Sequence, residues 1–360
     1  MSSWKKRAWK THRIGRRSTG HHNLDLIIGQ GIMRFVRRLF MFPVQLNPKQ
    51  HNPIVIGGLP RTGTTFLQRF LHEQKIGKGQ TLFAQLFPSP MLQKVLRPLV
   101  PVLERISPTR HHDPKIHKTG FMQVETDEAG LFFQQLDGFF LYAFFWALDD
   151  EEQLPYFDIR NRNETRRDFA WLSRCWSLNT NNEVIRPLAK LFGIGAAIPE
   201  FLEYFPQGKI IYTARDPREV IPSTLSLLRT VLQERYDWNE ISHDKQMRYY
   251  SRICDALIEL MRRFHQAWEA EKIDRSRCLI LPYELLKSDF DGVMNRICSF
   301  VGHDLSPSSL QAIHDISMKQ KTRQSLHKYR LDDFGLDESG LIEKTSFFHP
   351  YWQPEMWEQQ

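Results

Sequence analysis

Between a short β-branched run, Asn52–Gly57 (NPIVIG), and a segment with helical spacing, Thr65–Gln74, the chain places a glycine-rich turn, Gly57–Leu67 (GGLPRTGTTFL). The first run reads as a buried strand. In the second, Phe66, Leu67, Phe70 and Leu71 fall on one helical face. Gly58-x4-Gly63-Thr64-Thr65 has the spacing of a P-loop, whose backbone N–H groups and helix N-terminus cradle phosphate. The lysine that reaches the β and γ phosphates of a nucleoside triphosphate is replaced by Thr64, and a cation stands inside the loop at Arg61. Thr65 fills the Mg²⁺-holding hydroxyl position, but no strand ending in a Walker-type Asp is evident. The loop reads as built for a phosphate whose attached group is handled by a loop cation without Mg²⁺. The plain alternative is a glycine turn that only joins strand to helix.

The alternation repeats. Lys209–Thr213 (KIIYT) predicts a strand before a helix at Glu219–Arg229, and Cys278–Leu281 (CLIL) another before Phe290–Val301. Lys245–Lys272 is helical throughout by pattern. Strands alternating with helices imply an α/β fold with a mostly parallel sheet, in which ligands bind at the C-terminal strand ends. A second motif stands at such an end: Arg215-Asp216-Pro217, with Ser223 eight residues after the arginine. An Arg fork and a hydroxyl converging on one group suit a phosphate, although Arg-Asp-Pro can also simply cap a helix.

Charge sets the next limits. The 360 residues carry 49 Lys plus Arg against 41 Asp plus Glu, a net +8 that invites a nucleic-acid reading. Residues 1–52 hold eleven of the bases and one acid, or +10, leaving 38 bases and 40 acids, or −2, for the other 308. A near-neutral domain over 51–360 behind a basic arm of 1–50 is no nucleic-acid reader, and 12% aromatic residues argue against default disorder. Cys175, Cys254, Cys278 and Cys298 are scattered, without disulfide or zinc spacing, which predicts buried thiols, no metal and a cytoplasmic setting. Phe139–Leu148 (FFLYAFFWAL) is too short to cross a bilayer and predicts a core helix or an apolar pocket wall. Leu24–Val44 mixes apolar residues with Arg34, Arg37 and Arg38 and, with the basic stretch before it, suits peripheral contact with an anionic membrane. A solvated tail followed by a docked helix, or an organelle transit peptide, explains the same composition.

Loop and strand-end motif together resemble the sulfotransferase family, which uses 3′-phosphoadenosine 5′-phosphosulfate as donor. The resemblance implies a P-loop-like, three-layer domain with helices on both sides of the sheet. It implies that Arg61, Thr62, Gly63, Thr64 and Thr65 hold the 5′-phosphosulfate and that Arg215 and Ser223 hold the 3′-phosphate. A mainly bacterial branch is similar further along: Lys190, Ile198-Pro199 and Phe205-Pro206 precede Arg215-Asp216-Pro217 in its order. There the family lysine, matched by Lys190, faces the sulfuryl group; Leu191 and Phe192 replace the Asn or Ser and the Pro that follow it. His111, His112, Asp113, Pro114, His117, Gly120 and the cluster Glu125, Asp127, Glu128 resemble the branch's His-rich and acidic stretch, as His327, Tyr329, Leu331 and Phe334–Leu336 resemble its C-terminal segment.

The expected reaction is in-line sulfuryl transfer to a hydroxyl, with Arg61 and Lys190 as cations and positioning as the main catalytic effect. The sequence leaves the acceptor open among lipid alcohol, sterol, carbohydrate and phenol, an apolar or lipid-like one included. Glu128 is the first choice of base, with Glu125, Asp127 and the three histidines as rivals. Two other classes fit parts of the sequence: a P-loop nucleotide-binding or kinase-like protein, and an inactive membrane-associated module.

Overall fold

The structure, a computed structural model, describes residues 3–20, 23–41, 52–106, 120–149, 164–179, 186–321, 329–358 and 360. Among them, β1 (Ile54–Gly57), β2 (Lys78–Gly79), β3 (Pro187–Lys190), β4 (Lys209–Ala214) and β5 (Cys278–Pro282) form one sheet in the order β2-β3-β1-β4-β5. β1 pairs in parallel with β3 and β4, and β4 with β5. Every residue of β1, β3 and β5 is buried, which is why β1 and β5 read as continuous apolar runs rather than alternating ones. β1 is the switch point: its neighbours on the two sides are later strands, so its C-terminal end opens where the order diverges.

The chain divides into two compact units. Residues 51–78, 186–226 and 254–360 make one, and 1–50, 79–185 and 227–253 the other.

The sheet-bearing unit is a three-layer α/β domain. On one face Ile54, Ile56, Ile211 and Leu281 meet Leu67, Phe70 and Leu71 from the helix Thr64–Glu73 and Phe290, Val293 and Ile297 from the helix Phe290–Val301. On the other, Tyr212 stacks on Phe264 with ring centroids 3.8 Å apart, and Phe264 meets Tyr351 edge-on at 5.1 Å. The helix Phe290–Val301 starts where the Asp289 carboxylate accepts from the Gly292 N–H (3.0 Å) and stops at Gly302, left-handed at φ 67°. At the outer strand β5, Ile280 gives its N–H to Gln360 Oε1 (2.7 Å) and accepts from Gln360 Nε2 (2.9 Å).

The other unit is helical. Leu82, Phe83, Phe87, Leu92, Val100 and Phe121 form its apolar cluster. The helix Glu128–Gln135 ends at Leu136, itself left-handed at φ 49°, and its last carbonyls are met by cations. Arg34 donates to Gln134 O (2.9 Å), and Arg7 to Gln135 O (3.1 and 2.9 Å). Positive charge at a helix C-terminus is stabilising by about 0.3–1 kcal/mol, more where solvent is excluded. Burial lowers the Arg34 and Arg37 guanidinium groups to about 10, still protonated at neutral pH.

The aromatic run is a helix, Phe139–Phe144, and a 3₁₀ turn, Trp146–Leu148, packed as core. No single described helix is long and apolar enough to cross a membrane. All four cysteines are buried and unbridged, and burial pushes the Cys298 thiol up to about 11.

Phe290 is fully buried, with ring centroids 5.5 Å from Phe66 and 5.0 Å from Phe70. Phe290→Ala is expected to lower unfolding stability by about 3–5 kcal/mol, read as a reduced urea midpoint.

Candidate functional site

The loop after β1 is shaped by three residues with positive φ. At Gly58 (φ 114°) an added Cβ would sit 2.3 Å from the Thr213 carbonyl oxygen, so only glycine lets the chain pass the end of β4. Gly63 (φ 78°) is also left-handed, and its missing side chain leaves room for Leu286 and Tyr283. Arg61 is left-handed at φ 69° despite carrying a Cβ, a conformation that costs about 1–3 kcal/mol and persists only where the surroundings impose it.

Those surroundings are a set of hydroxyl contacts. The Thr62 hydroxyl is 2.7 Å from Leu59 O and 2.7 Å from the Thr213 hydroxyl, which lies 2.9 Å from Gly57 O. Two protons serve three contacts, so the pair satisfies two of them at a time. Thr62 is thus turned inward and buried; towards a ligand it can offer its backbone N–H but not its hydroxyl. Gly63 is the N-cap of the helix Thr64–Glu73, and no side chain caps that end. N–H groups of its first turn have no acceptor within the helix and point along the positive end of its dipole, an arrangement suited to an anion.

Three cationic or hydroxyl groups converge on this turn from other elements. Lys190, the last residue of β3, pairs in register with Ile56, is buried, and donates from Nζ to Thr65 Oγ1 at 2.7 Å. Arg61 Nε donates to Ser223 Oγ at 3.0 Å, and Arg215 Nη1 donates to Arg61 O at 2.9 Å. In Arg-Asp-Pro the residues divide: Asp216 and Pro217 serve the helix start, and Arg215 does not. Asp216 and Pro217 start the helix Pro217–Arg235, with Asp216 O accepting from Glu219 N (3.0 Å) and its carboxylate accepting from Arg218 (2.6 Å). Arg215 is left facing the loop, paired with Glu219 Oε2 at 2.5 Å and lying 4.2 Å above the Tyr283 ring.

Arg61, Thr62, Gly63, Thr64, Thr65, Lys190, Arg215 and Ser223 therefore meet within one unit. Leu191 and Phe192 leave Lys190 at the loop, with Nζ 5.4 Å from the Phe192 ring. Sequence reasoning misses Tyr283, whose one signal is its position just past the end of β5, and the latch role of Thr213.

The acidic cluster belongs to the helical unit. Asp127 is the N-cap of Glu128–Gln135, and Glu128 is the buried first residue, where the helix dipole favours a carboxylate. Asp127 is itself buried, and the Cys175 thiol is pushed up by burial and then by the charge of Asp127. Glu125 is half-buried, and its carbonyl accepts from Gln85 Nε2 at 3.1 Å. His111, His112, Asp113, Pro114, His117 and His327 lie outside the described residues. Among the described residues, no group of three or more His, Cys, Asp or Glu is arranged to hold a metal.

Residues 53–307 match the model of the sulfotransferase family. Sulfotransferase 2A1 of Macaca fascicularis is 25% identical over 146 residues, 39% of this chain and 46% of that protein. Sulfotransferase 2A1 of Homo sapiens is 25% identical over 134 residues, 36% and 42% of the two chains. The match spans less than half the length of these curated relatives. Among solved structures, sulfotransferase STF1 from Mycobacterium tuberculosis is similar with a TM-score of 0.72 and 20% identity, covering 95% of this chain and 91% of that one. Sulfotransferase STF9 from Mycobacterium avium gives 0.65 and 16%, covering 89% and 82%. At these identities the likeness is one of fold.

Thr213→Val removes the hydroxyl between Gly57 and Thr62. It is expected to cost about 1–3 kcal/mol in urea unfolding, whereas Thr213→Ser keeps most of the stability.

Proposed function

The chain belongs to the sulfotransferase family, and we propose that it moves a sulfuryl group from 3′-phosphoadenosine 5′-phosphosulfate to the hydroxyl of a small acceptor, apolar or lipid-like in class. The observation that carries this reading is the double link of Arg61: its side chain reaches Ser223 and its carbonyl reaches Arg215. Two anion motifs more than 150 residues apart are thereby joined at one loop, as a donor with an anionic group at both ends requires. The fit is chemical as well. An uncapped helix N-terminus and a loop free of Cβ atoms at Gly58 and Gly63 suit a phosphate, and Lys190 and Arg61 supply charge beside it.

In the transfer, the acceptor oxygen forms its bond to sulfur as the bond from sulfur to the phosphate oxygen breaks, giving a sulfate ester and adenosine 3′,5′-bisphosphate. Negative charge grows on the leaving phosphate, so fixed cations at the loop favour the transition state more than the ground state. Arg61 and Lys190 are assigned that role, with first-turn N–H groups of Thr64 and Thr65 holding the phosphate. Arg215, steadied by Tyr283 and Glu219, and Ser223 take the 3′-phosphate. Glu128 is the proposed base for the acceptor proton.

The test is incubation with sulfur-labelled donor and a lipid extract, with the labelled product identified by mass. Absence of labelled product together with binding of Mg²⁺–ATP but not adenosine 3′,5′-bisphosphate would hand the site to a kinase-like function. Arg215→Ala is expected to weaken adenosine 3′,5′-bisphosphate about tenfold to a hundredfold in calorimetric titration while sparing adenosine 5′-monophosphate. Glu128→Gln is expected to lower kcat about 10²–10⁴-fold with donor affinity unchanged, and a normal kcat would pass the base role to another group.

A further inference from the structure

The helix Leu24–Met41 is apolar on two opposite sides. Its inner side lays Met33 and Val36 against the cluster containing Leu92 and Val100 and buries Arg37, which donates to Gln134 Oε1 at 2.9 Å. Its outer side carries Leu24, Ile28, Ile32, Phe35 and Leu39 at intervals of four, four, three and four residues, each 46–64% exposed. At 1.5 Å per residue this stripe is about 22 Å long. A second stripe, Met91, Val95, Leu99 and Val102, 50–66% exposed, lies on the consecutive helical turns Pro90–Leu96, Arg97–Leu99 and Val100–Ile106. Those turns send Leu92 and Val100 into the same cluster as Met33 and Val36, so both stripes belong to one packed unit. Nine of the fourteen large hydrophobic side chains exposed among the described residues stand in these two rows. Scattered exposure needs no explanation; two ordered rows do.

We propose that these two stripes are a docking face for an anionic lipid bilayer, with the helices lying in the plane of the interface. The argument for a bilayer rather than a second copy is the charge beside the rows. Arg38 is exposed on the first helix and Lys94 and Arg97 on the second run, and Lys5, Lys6, Arg13 and Arg16 are exposed on the neighbouring helix Ser3–Thr19. Among the described residues of these three segments, the exposed acids are Asp25 and Glu104 alone. Two such faces set against each other would oppose cation to cation, whereas an anionic surface neutralises them. Apolar side chains sink into the boundary of headgroups and acyl chains while the flanking cations meet the headgroups. The inward cations act elsewhere, since Arg7, Arg34 and Arg37 fasten the two N-terminal helices to Gln134 and Gln135. The face is therefore formed before contact, not folded by it.

The experiment is cosedimentation of the full chain with vesicles of phosphatidylcholine alone or with about one-third phosphatidylserine. Binding to the anionic vesicles is expected to exceed binding to the neutral ones by about tenfold or more and to fall as salt is raised. Ile32→Glu with Phe35→Glu, and separately Val95→Glu with Leu99→Glu, are each expected to lower the partition coefficient about tenfold or more. The four positions are exposed, so circular dichroism, melting temperature and affinity for adenosine 3′,5′-bisphosphate should stay at wild-type values. The last of these keeps a failure here distinct from a failure of the transferase reading. No binding by the unaltered chain, equal binding to both vesicle types, or binding that survives both double substitutions would overturn the proposal. So would a wild-type dimer in sedimentation equilibrium that both double variants dissociate. Comparing vesicle types and salt with the unaltered chain requires no variant to fold.

Discussion

A side chain at position 58 would collide with the backbone of Thr213, and the geometry of the loop after β1 follows from the contact that its absence permits. Because the loop runs against the end of β4, the hydroxyls of Thr62 and Thr213 can latch it there. Once latched, it turns left-handed at Arg61, which aims the side chain at Ser223 and the carbonyl at Arg215. The order of the strands completes the arrangement. With β1 between β3 and β4, the C-terminal ends of three strands come together, and Lys190 arrives from one side as Arg215 arrives from the other. The strain in Arg61 is maintained by these neighbours, a device common where a functional group must be held before its ligand comes.

The helical unit uses charge differently. Arg7 and Arg34 stand where the carbonyls of the helix Glu128–Gln135 run out of partners, so the end opposite Glu128 is closed by guanidinium groups. Arg167 adds to this, reaching Asp137 at 2.6 Å and Asp168 at 2.5 Å. Removing a cation there would uncover buried acceptors as well as delete an attraction, and the first effect is the larger. The helices Ser3–Thr19 and Leu24–Met41 contribute to this packing through their fold rather than through charge alone.

Much of the sheet-bearing unit can be read from the chain. β1 and β4 announce themselves as β-branched apolar runs and β5 as a plain apolar one, and the glycine turn after β1 shows its spacing. β3 gives no such signal because Pro-Leu-Ala-Lys has no β-branched residue and ends on a charge; only its pairing with β1 makes it a strand. For the same reason the place of Lys190 depends on a register that no local pattern encodes. Thr62 looks like a ligand group by motif, but its hydroxyl is spent on the loop. Arg7, Arg34 and Arg37 count by composition as part of a charged arm, although their direction depends on carbonyl and carboxamide oxygens about a hundred residues away. Composition reports how much charge a segment carries and says nothing of which way it faces.

The carboxamide of Gln360 meets both backbone groups of Ile280 at the outer edge of β5. An outer strand ordinarily offers a ladder of unpaired N–H and C=O groups that another chain can extend, the starting point of strand-by-strand aggregation. At Ile280 that invitation is withdrawn by a side chain that imitates a partner strand for one residue and cannot propagate further. A foreign strand would have to displace an intramolecular group of high local concentration before it could gain its first bond at this position. The edge of β5 thus carries its own guard at Ile280, placed where growth would be harmful.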